Sequence, residues 1–219
     1  MAVQAHGAQR CEGARRRPEP RPLMPFLQPV TLKGRHAALL PLSTDHLAGL
    51  QDATRDGDLA GLWYTAVPSA EGMATEIERR LSLQARDSML PFTVFDAEGR
   101  VAGMTTFMNA DGTNRRVEIG STWYAKRVQR SALNTECKLM LLTHAFDTLR
   151  CIAVEFRTHR LNTQSRRAIE RLGAQLDGML RSHQISPNGS LRDTAVYSIT
   201  AAEWPTVRAH LQFQLHRPR

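Results

Sequence analysis

Residues 117–173 read VEIGSTWYAKRVQRSALNTECKLMLLTHAFDTLRCIAVEFRTHRLNTQSRRAIERLG, and this stretch decides the fold. It opens on a strand pattern, passes through a basic turn into an amphipathic helix, returns as an apolar strand and ends in a second helix that starts at Asn162. Two strands joined through a helix run parallel, by a right-handed crossover. A strand that turns directly into a helix aims the first N–H groups, and the positive end of the helix dipole, at whatever lies over the turn. Arg127 and Arg130 add positive charge there, so the turn is a candidate phosphate cradle. A ligand is expected outside the carboxyl ends of the two strands.

Upstream, PFTVFDAEGRVAGMTTFM (residues 91–108) reads as two strands joined at Asp96-Ala97-Glu98-Gly99, and residues 109–114 form the next turn. An antiparallel meander of three strands therefore feeds the central unit. Before it, Ser43-Thr44-Asp45 offers cap chemistry for one helix, and Met73, Ile77 and Leu81 make the apolar stripe of a second. The connection between them holds Trp63 and Tyr64, either packing anchors or a substrate wall. Residues 30–32 and 36–41 read as two short opening strands. Downstream, residues 174–185 and 191–200 flank Ser186-Pro187-Asn188-Gly189-Ser190 as a hairpin, and Trp204, Val207 and Leu211 are spaced for a last helix.

The first 23 residues hold five Arg and two Glu among Pro and small residues, and read as a disordered extension ahead of a single domain over residues 24–219. Met24 directly precedes the first apolar segment and reads as an alternative start. The 219 residues carry a formal charge of +8, to which that extension contributes much. The basic excess raises nucleic acid as a partner, but only three of the 29 basic residues are Lys, and nucleic acid stays the disfavoured reading. No run is apolar enough for a membrane anchor. Three cysteines without metal spacing point to a reducing, cytoplasmic compartment, to no metal, and to buried packing for Cys137 and Cys151.

The order of elements, with Gln129-Arg130-Ser131-Ala132-Leu133-Asn134-Thr135-Glu136-Cys137 after the strand and Asn162-x-x-Ser165 before Leu172-Gly173, resembles the GNAT superfamily of acetyl-CoA-dependent N-acetyltransferases. The closer likeness is to its ribosomal-protein N-terminal acetyltransferase branch. The resemblance implies an α/β fold whose mixed, largely antiparallel sheet of about seven strands is splayed at a central parallel pair and flanked by helices. It implies acetyl-CoA as co-substrate and an amine acceptor, a protein N-terminus or a small molecule. A homodimer is left open. Cofactor contacts are implied for Trp123, Tyr124, Arg127, Gln129, Arg130, Ser131, Ala132, Leu133, Asn134, Thr135, Asn162 and Ser165. The family pattern has Gly where Ala132 stands and Gly or Ala where Asn134 stands. Asn134 is expected to cap the helix with its side chain instead.

Acyl transfer to an amine needs a neutral amine, a polarised carbonyl and a proton for the departing thiolate. Backbone N–H groups of residues 122–124 are the family-type carbonyl donors. Many superfamily members place a Tyr at the position of Ile169; in its absence Ser165 is the candidate proton donor. Glu118 is the first choice of base: strict alternation puts Glu118, Gly120, Thr122 and Tyr124 on one strand face. Glu155 shares a face with Arg157 and reads as a cross-strand ion pair. His183 and Asp193, across the closing hairpin, resemble acceptor-side positions. The rival reading is a non-catalytic binder, an acetyl-CoA sensor or a basic nucleic-acid-binding protein.

Overall fold

In the computed structural model the described residues are 25–57, 59, 61–65 and 67–217. The Arg/Pro-rich extension and the alternative start at Met24 lie outside them.

Local chemistry places most elements where the sequence patterns do. β1 (Leu32–Lys33) and β2 (Ala37–Pro41) lead into a 3-10 turn, Thr44–His46, and then helix α1 (Leu47–Arg55). Ser43 caps the turn by accepting from the N–H of Asp45. Helix α2 (Met73–Gln84) buries Met73 and Ile77, the expected stripe. β3 (Met89–Asp96), β4 (Val101–Asp111) and β5 (Arg116–Tyr124) form the meander. Helix α3 (Leu133–Thr143), closed by a π turn at His144–Thr148, leads to β6 (Ala153–His159). Helix α4 (Thr163–Glu170), the hairpin β7 (Gln175–Ile185) and β8 (Leu191–Thr200), and helix α5 (Trp204–His216) complete the chain.

The sheet has eight strands in the order β1-β2-β3-β4-β5-β6-β8-β7, one more than expected, and only β5 and β6 run parallel. The first strand is also shorter than its reading: Val30 packs against the core, and pairing begins at Leu32. Thr106 of β4 bonds to Arg80 of α2, whereas its neighbour Phe107 meets Phe92 and the ring of His144. Successive strand residues point to opposite faces, so α2 and α3 cover the two sides of the sheet. Each fully buried side chain of that core, Phe92 and Phe107 among them, stabilises the fold by about 1.5–3 kcal/mol.

Helix α5 docks through Trp204, whose ring stacks on Phe146 at 5.2 Å and whose Nε1 donates to Asp147 at 3.0 Å. Cys137 and Cys151 are buried thiols, pushed up by burial to about 12 and about 11. Among the described residues no helix is long and apolar enough to cross a membrane, and no group of three or more His, Cys, Asp or Glu could hold a metal ion.

Candidate active site at the strand split

The parallel pair is short. Arg116, Val117 and Glu118 register with Ala153, Val154 and Glu155, after which β5 runs on to Tyr124 and β6 to His159 without further pairing. Beyond Glu118, β5 is paired on its β4 side only, so alternate N–H groups of residues 119–124 face the opening between the strands. Those are donors aimed into a cleft, where they can polarise a carbonyl.

The expected alternation along β5 fails at one point. Ser121 takes φ 48°, and the β4–β5 register shifts between Met104 and Thr106. This bulge puts an extra residue into β5 and turns the strand end. Gly120 precedes it, and a side chain there would displace its neighbours: a Cβ would lie 2.7 Å from Sδ of Met108 and 2.8 Å from Oε1 of Glu118. Arg80 supports the bulge from α2. Its buried guanidinium bonds to Glu76 at 2.7 Å and Thr106 Oγ1 at 2.7 Å, and reaches the Ser121 carbonyl oxygen at 3.5 Å.

Glu118 stands at the point of the split. Its carboxylate is 6% exposed, accepts from Asn109 Nδ2 at 2.8 Å and lies 3.5 Å from Nε of Arg157. Burial raises its pKa above the ordinary carboxylate value, against the lowering pull of the Asn109 bond and the Arg157 charge. Arg157 also pairs with Glu155 at 2.9 Å, and Glu155 takes Arg116 from the neighbouring strand. Glu155 is thus the cross-strand ion-pair partner that its spacing indicates.

The turn after β5 is fastened to the end of α1. Lys126 N–H donates to the Asp56 carbonyl at 2.8 Å and Arg127 N–H to its carboxylate at 3.1 Å. The guanidinium of Arg127 meets Asp56 at 3.3 Å, Asp96 at 3.5 Å and the Val101 carbonyl at 2.6 Å. These contacts tie Arg127 to the end of α1 and to the β3–β4 turn, beside the start of α3. Gln129 Nε2 bonds back to the Tyr124 carbonyl at 2.9 Å. Arg130 takes φ 59°, which carries the chain into the helix.

Asn134 does not cap the helix. The helix starts at Leu133, so Asn134 already lies in the first turn and its side chain cannot fold back over the end. Ser131 does that work: its hydroxyl accepts from Leu133 N–H at 3.2 Å and donates to the Val128 carbonyl at 2.6 Å. Ala132 is right-handed, with φ −69°, and Asn134 is helical, so neither needs a glycine for its backbone conformation. Oδ1 of Asn134 is buried without a hydrogen-bond partner. The helix start, with the first-turn N–H groups of Asn134 and Thr135 left to a ligand, fits a pyrophosphate. Side chains of Trp123 and Tyr124 are largely buried; the Tyr124 hydroxyl sits beside Cys137, and burial raises its pKa well above the usual value.

On the other wall, Asn162 caps α4 by accepting from Ser165 N–H at 3.0 Å, which leaves the half-buried Ser165 hydroxyl for another partner. Trp63 and Tyr64 close over the end of β6, their rings 5.2 Å and 6.3 Å from that of His159. His159 is buried, donates or accepts nothing through Nε2, and takes Leu161 N–H on Nδ1 at 3.0 Å. His183 reaches Thr194 Oγ1 at 3.1 Å on the same hairpin. The Asp193 carboxylate accepts from Ser182 N–H at 2.8 Å and meets Arg181 at 3.0 Å and Arg160 at 3.4 Å, which ties the hairpin to the end of β6. Sequence reasoning missed Arg80, Asn109, Arg157 and His159. The local signals were the i, i+4 spacing of Glu76 and Arg80 and the i, i+2 spacing of Glu155 and Arg157.

Residues 37–175 match the model of the Acetyltransferase (GNAT) domain family. A Bacillus subtilis (strain 168) protein named "Putative ribosomal N-acetyltransferase YdaF" is 33% identical over 107 residues, 49% of this chain and 57% of that protein. The match thus spans little more than half the length of that curated relative. A solved GCN5-related N-acetyltransferase from Brucella melitensis is 31% identical, covers 87% of each chain and superposes with a TM-score of 0.76. Mycobacterium smegmatis RimJ, solved with CoA-disulfide, shares the fold at 21% identity and a TM-score of 0.73, over 86% of this chain and 96% of that one.

Proposed function

Since the chain belongs to the GNAT acetyltransferase family, we propose that it moves the acetyl group of acetyl-CoA directly to a primary amine bound at the β5–β6 split. The observation that carries this reading is the buried carboxylate of Glu118 at the point where the two parallel strands part. Burial lifts its proton affinity toward that of a working base, and Asn109 with Arg157 fixes its orientation.

Acetyl-CoA supplies the thioester. The start of α3, with Ser131 shaping the turn, holds the pyrophosphate on N–H groups, and Asn162 borders the arm on the α4 side. N–H groups of residues 122–124 hold the thioester carbonyl and the negative charge that develops on it. Glu118 takes a proton from the acceptor amine, directly or through a water. As the new C–N bond forms and the C–S bond breaks, the Ser165 hydroxyl relays a proton from water to the departing thiolate, and the proton taken up by Glu118 is returned to water. Trp63 and Tyr64 wall the acceptor side over His159.

The Bacillus relative's name makes a ribosomal-protein N-terminus the first acceptor to try, with small amines second. A cytoplasmic setting follows from that acceptor. The test is to incubate the protein with acetyl-CoA and peptides copied from ribosomal-protein N-termini, alongside a panel of small amines, and to read acetylation by mass spectrometry. Acetyl-CoA bound at micromolar concentration with no acceptor modified would favour a sensor over an enzyme.

A further inference from the structure

We infer that Arg192 anchors a carboxylate carried by the amine acceptor, a reading that rests on the transfer site proposed above. The strand pairings lay out a polar row on one sheet face. Glu118 lies beside Glu155 across the parallel pair. Glu155, Arg157 and His159 alternate along β6, and their partners on β8 are Ser198, Val196 and Thr194. Arg192, two residues from Thr194, ends the row at the closing hairpin. Helix α4 packs against the opposite face, where Arg166 and Glu170 hold the Tyr197 hydroxyl at 2.8 Å and 2.7 Å. The segment with Trp63 and Tyr64 reaches over the row at His159. The row is therefore a floor leading from the proposed base to the hairpin.

Charge along this floor is uneven. Arg116 and Arg157 pair with Glu155, and Arg160 and Arg181 with Asp193. Among the described residues Arg192 forms no salt bridge. Its Nε donates to Thr194 Oγ1 at 3.1 Å, a bond within its own strand that orients the guanidinium and leaves its outer nitrogens for a ligand. Burial pulls its proton affinity below the usual value, and the Glu118 carboxylate partly offsets this. The same cation helps to depress His159. Arg192 thus sits half-buried and felt by both Glu118 and His159, the two ends of the acceptor space.

A half-buried guanidinium without a carboxylate in contact is costly to hold in a fold, and an anion that arrives with the ligand reduces the cost. Balancing Glu118 does not require it, since Glu118 already has Asn109 and Arg157. The fork of a guanidinium fits a carboxylate through two parallel bonds. The bond to Thr194 turns the guanidinium back along the row toward Glu118, so an acceptor whose amine meets Glu118 carries its carboxylate on the hairpin side of that amine. Either an acidic side chain near a peptide N-terminus or the α-carboxylate of an amino acid supplies the same group.

Calorimetric titration of the CoA-bound protein tests this without requiring turnover. The probes are Ala-Asp-Ala amide against Ala-Asn-Ala amide, and alanine against alaninamide. The expected result is that at least one acidic probe binds roughly tenfold more tightly than its neutral partner, the size of a charge-assisted bond. Arg192→Gln abolishes the preference and Arg192→Lys restores part of it, with melting temperatures confirming that both variants fold. Which pair shows the preference tells side chain from α-carboxylate. Equal binding within both pairs, no binding of any probe up to millimolar concentration, or a preference that survives Arg192→Gln overturns the assignment. Absence of thioester turnover alongside an Arg192-dependent preference would instead sink the transfer reaction and leave the anion site standing.

Discussion

Nη1 of Arg80, on α2, lies 3.5 Å from the carbonyl oxygen of Ser121, the residue at which β5 adopts φ 48°. A non-glycine residue in the left-handed region costs of order 1 kcal/mol or more and persists only where its surroundings hold it. The arginine is 1% exposed and shares Glu76 as counter-ion. It therefore positions the strand end whose N–H groups are to hold the thioester carbonyl, though it touches no reacting atom. Arg80→Lys should keep the fold, lower kcat by about tenfold and leave the Kd for acetyl-CoA within about twofold, because the pyrophosphate cradle lies elsewhere. Arg80→Ala leaves Glu76 its Arg79 partner but removes a fully buried side chain and the donor to Thr106 Oγ1, and should cost about 1–3 kcal/mol in denaturant unfolding. A kcat unchanged in Arg80→Lys would show that the bulge stands without it.

Glu118 offers a test in which stability and activity move in opposite directions. Its pKa is raised in the folded state, so the fold binds this proton more tightly than the unfolded chain does. Its contribution to stability is full below the unfolded-state pKa and is lost as pH rises through the folded value. Glu118→Gln should therefore melt higher than the wild type at neutral pH. The same change should reduce kcat by about 10²–10⁴ and remove the acid limb of the kcat/KM profile, which in the wild type lies above the ordinary Glu range. A variant with the acid limb intact would move the base elsewhere.

Lys138 is buried on α3, and its Nζ donates to Thr122 Oγ1 at 3.1 Å. Burial lowers its pKa from 10.5 to about 8. The unfolded chain keeps this proton up to its higher pKa, so between about pH 8 and the unfolded value the fold gains stability as pH rises. At pH 7 the full cost of the buried charge applies, about 3 kcal/mol at 1.36 kcal/mol per unit. Lys138→Met should stabilise the protein at pH 7 by up to that order, with the gain shrinking toward pH 10. Chemical denaturation at the two pH values checks it, and an equal gain at both would contradict the burial of a charged amine.

Neither Cys137 nor Cys151 takes part in the proposed transfer, and burial keeps both thiols protonated, at about 12 and about 11. Iodoacetamide at pH 8 should leave acetyl transfer undiminished. Loss of activity in step with labelling of Cys137 would point to a thiol in the mechanism.

What could be read along the chain was whatever is local. The parallel crossover followed from strand, turn, helix and strand in order. The Asn162 cap and the hairpin at Asn188-Gly189 rest on contacts two or three residues apart. Long-range partners were out of reach. Nothing near Ser121 marks a left-handed residue, because the arginine that steadies it is 41 positions away. Nothing near Arg127 marks Asp56, 71 positions upstream, as its ion-pair partner. Asn134 was read as a cap because its type suits one, but the helix begins one residue too early, and the neighbouring Ser131 hydroxyl is better placed. Asn109 looked like a turn residue but lies within β4, with φ 48° where the β4–β5 register shifts, and its amide serves Glu118 across the strand pair.

The most direct measurement is release of the CoA thiol from acetyl-CoA, with and without an amine acceptor, for the wild type and Glu118→Gln side by side. The account predicts release that depends on the amine, matches acetylated product one to one and falls about a hundredfold or more in the variant. Release that is independent of the amine, or equal in the two proteins, would contradict direct transfer at the Glu118 split.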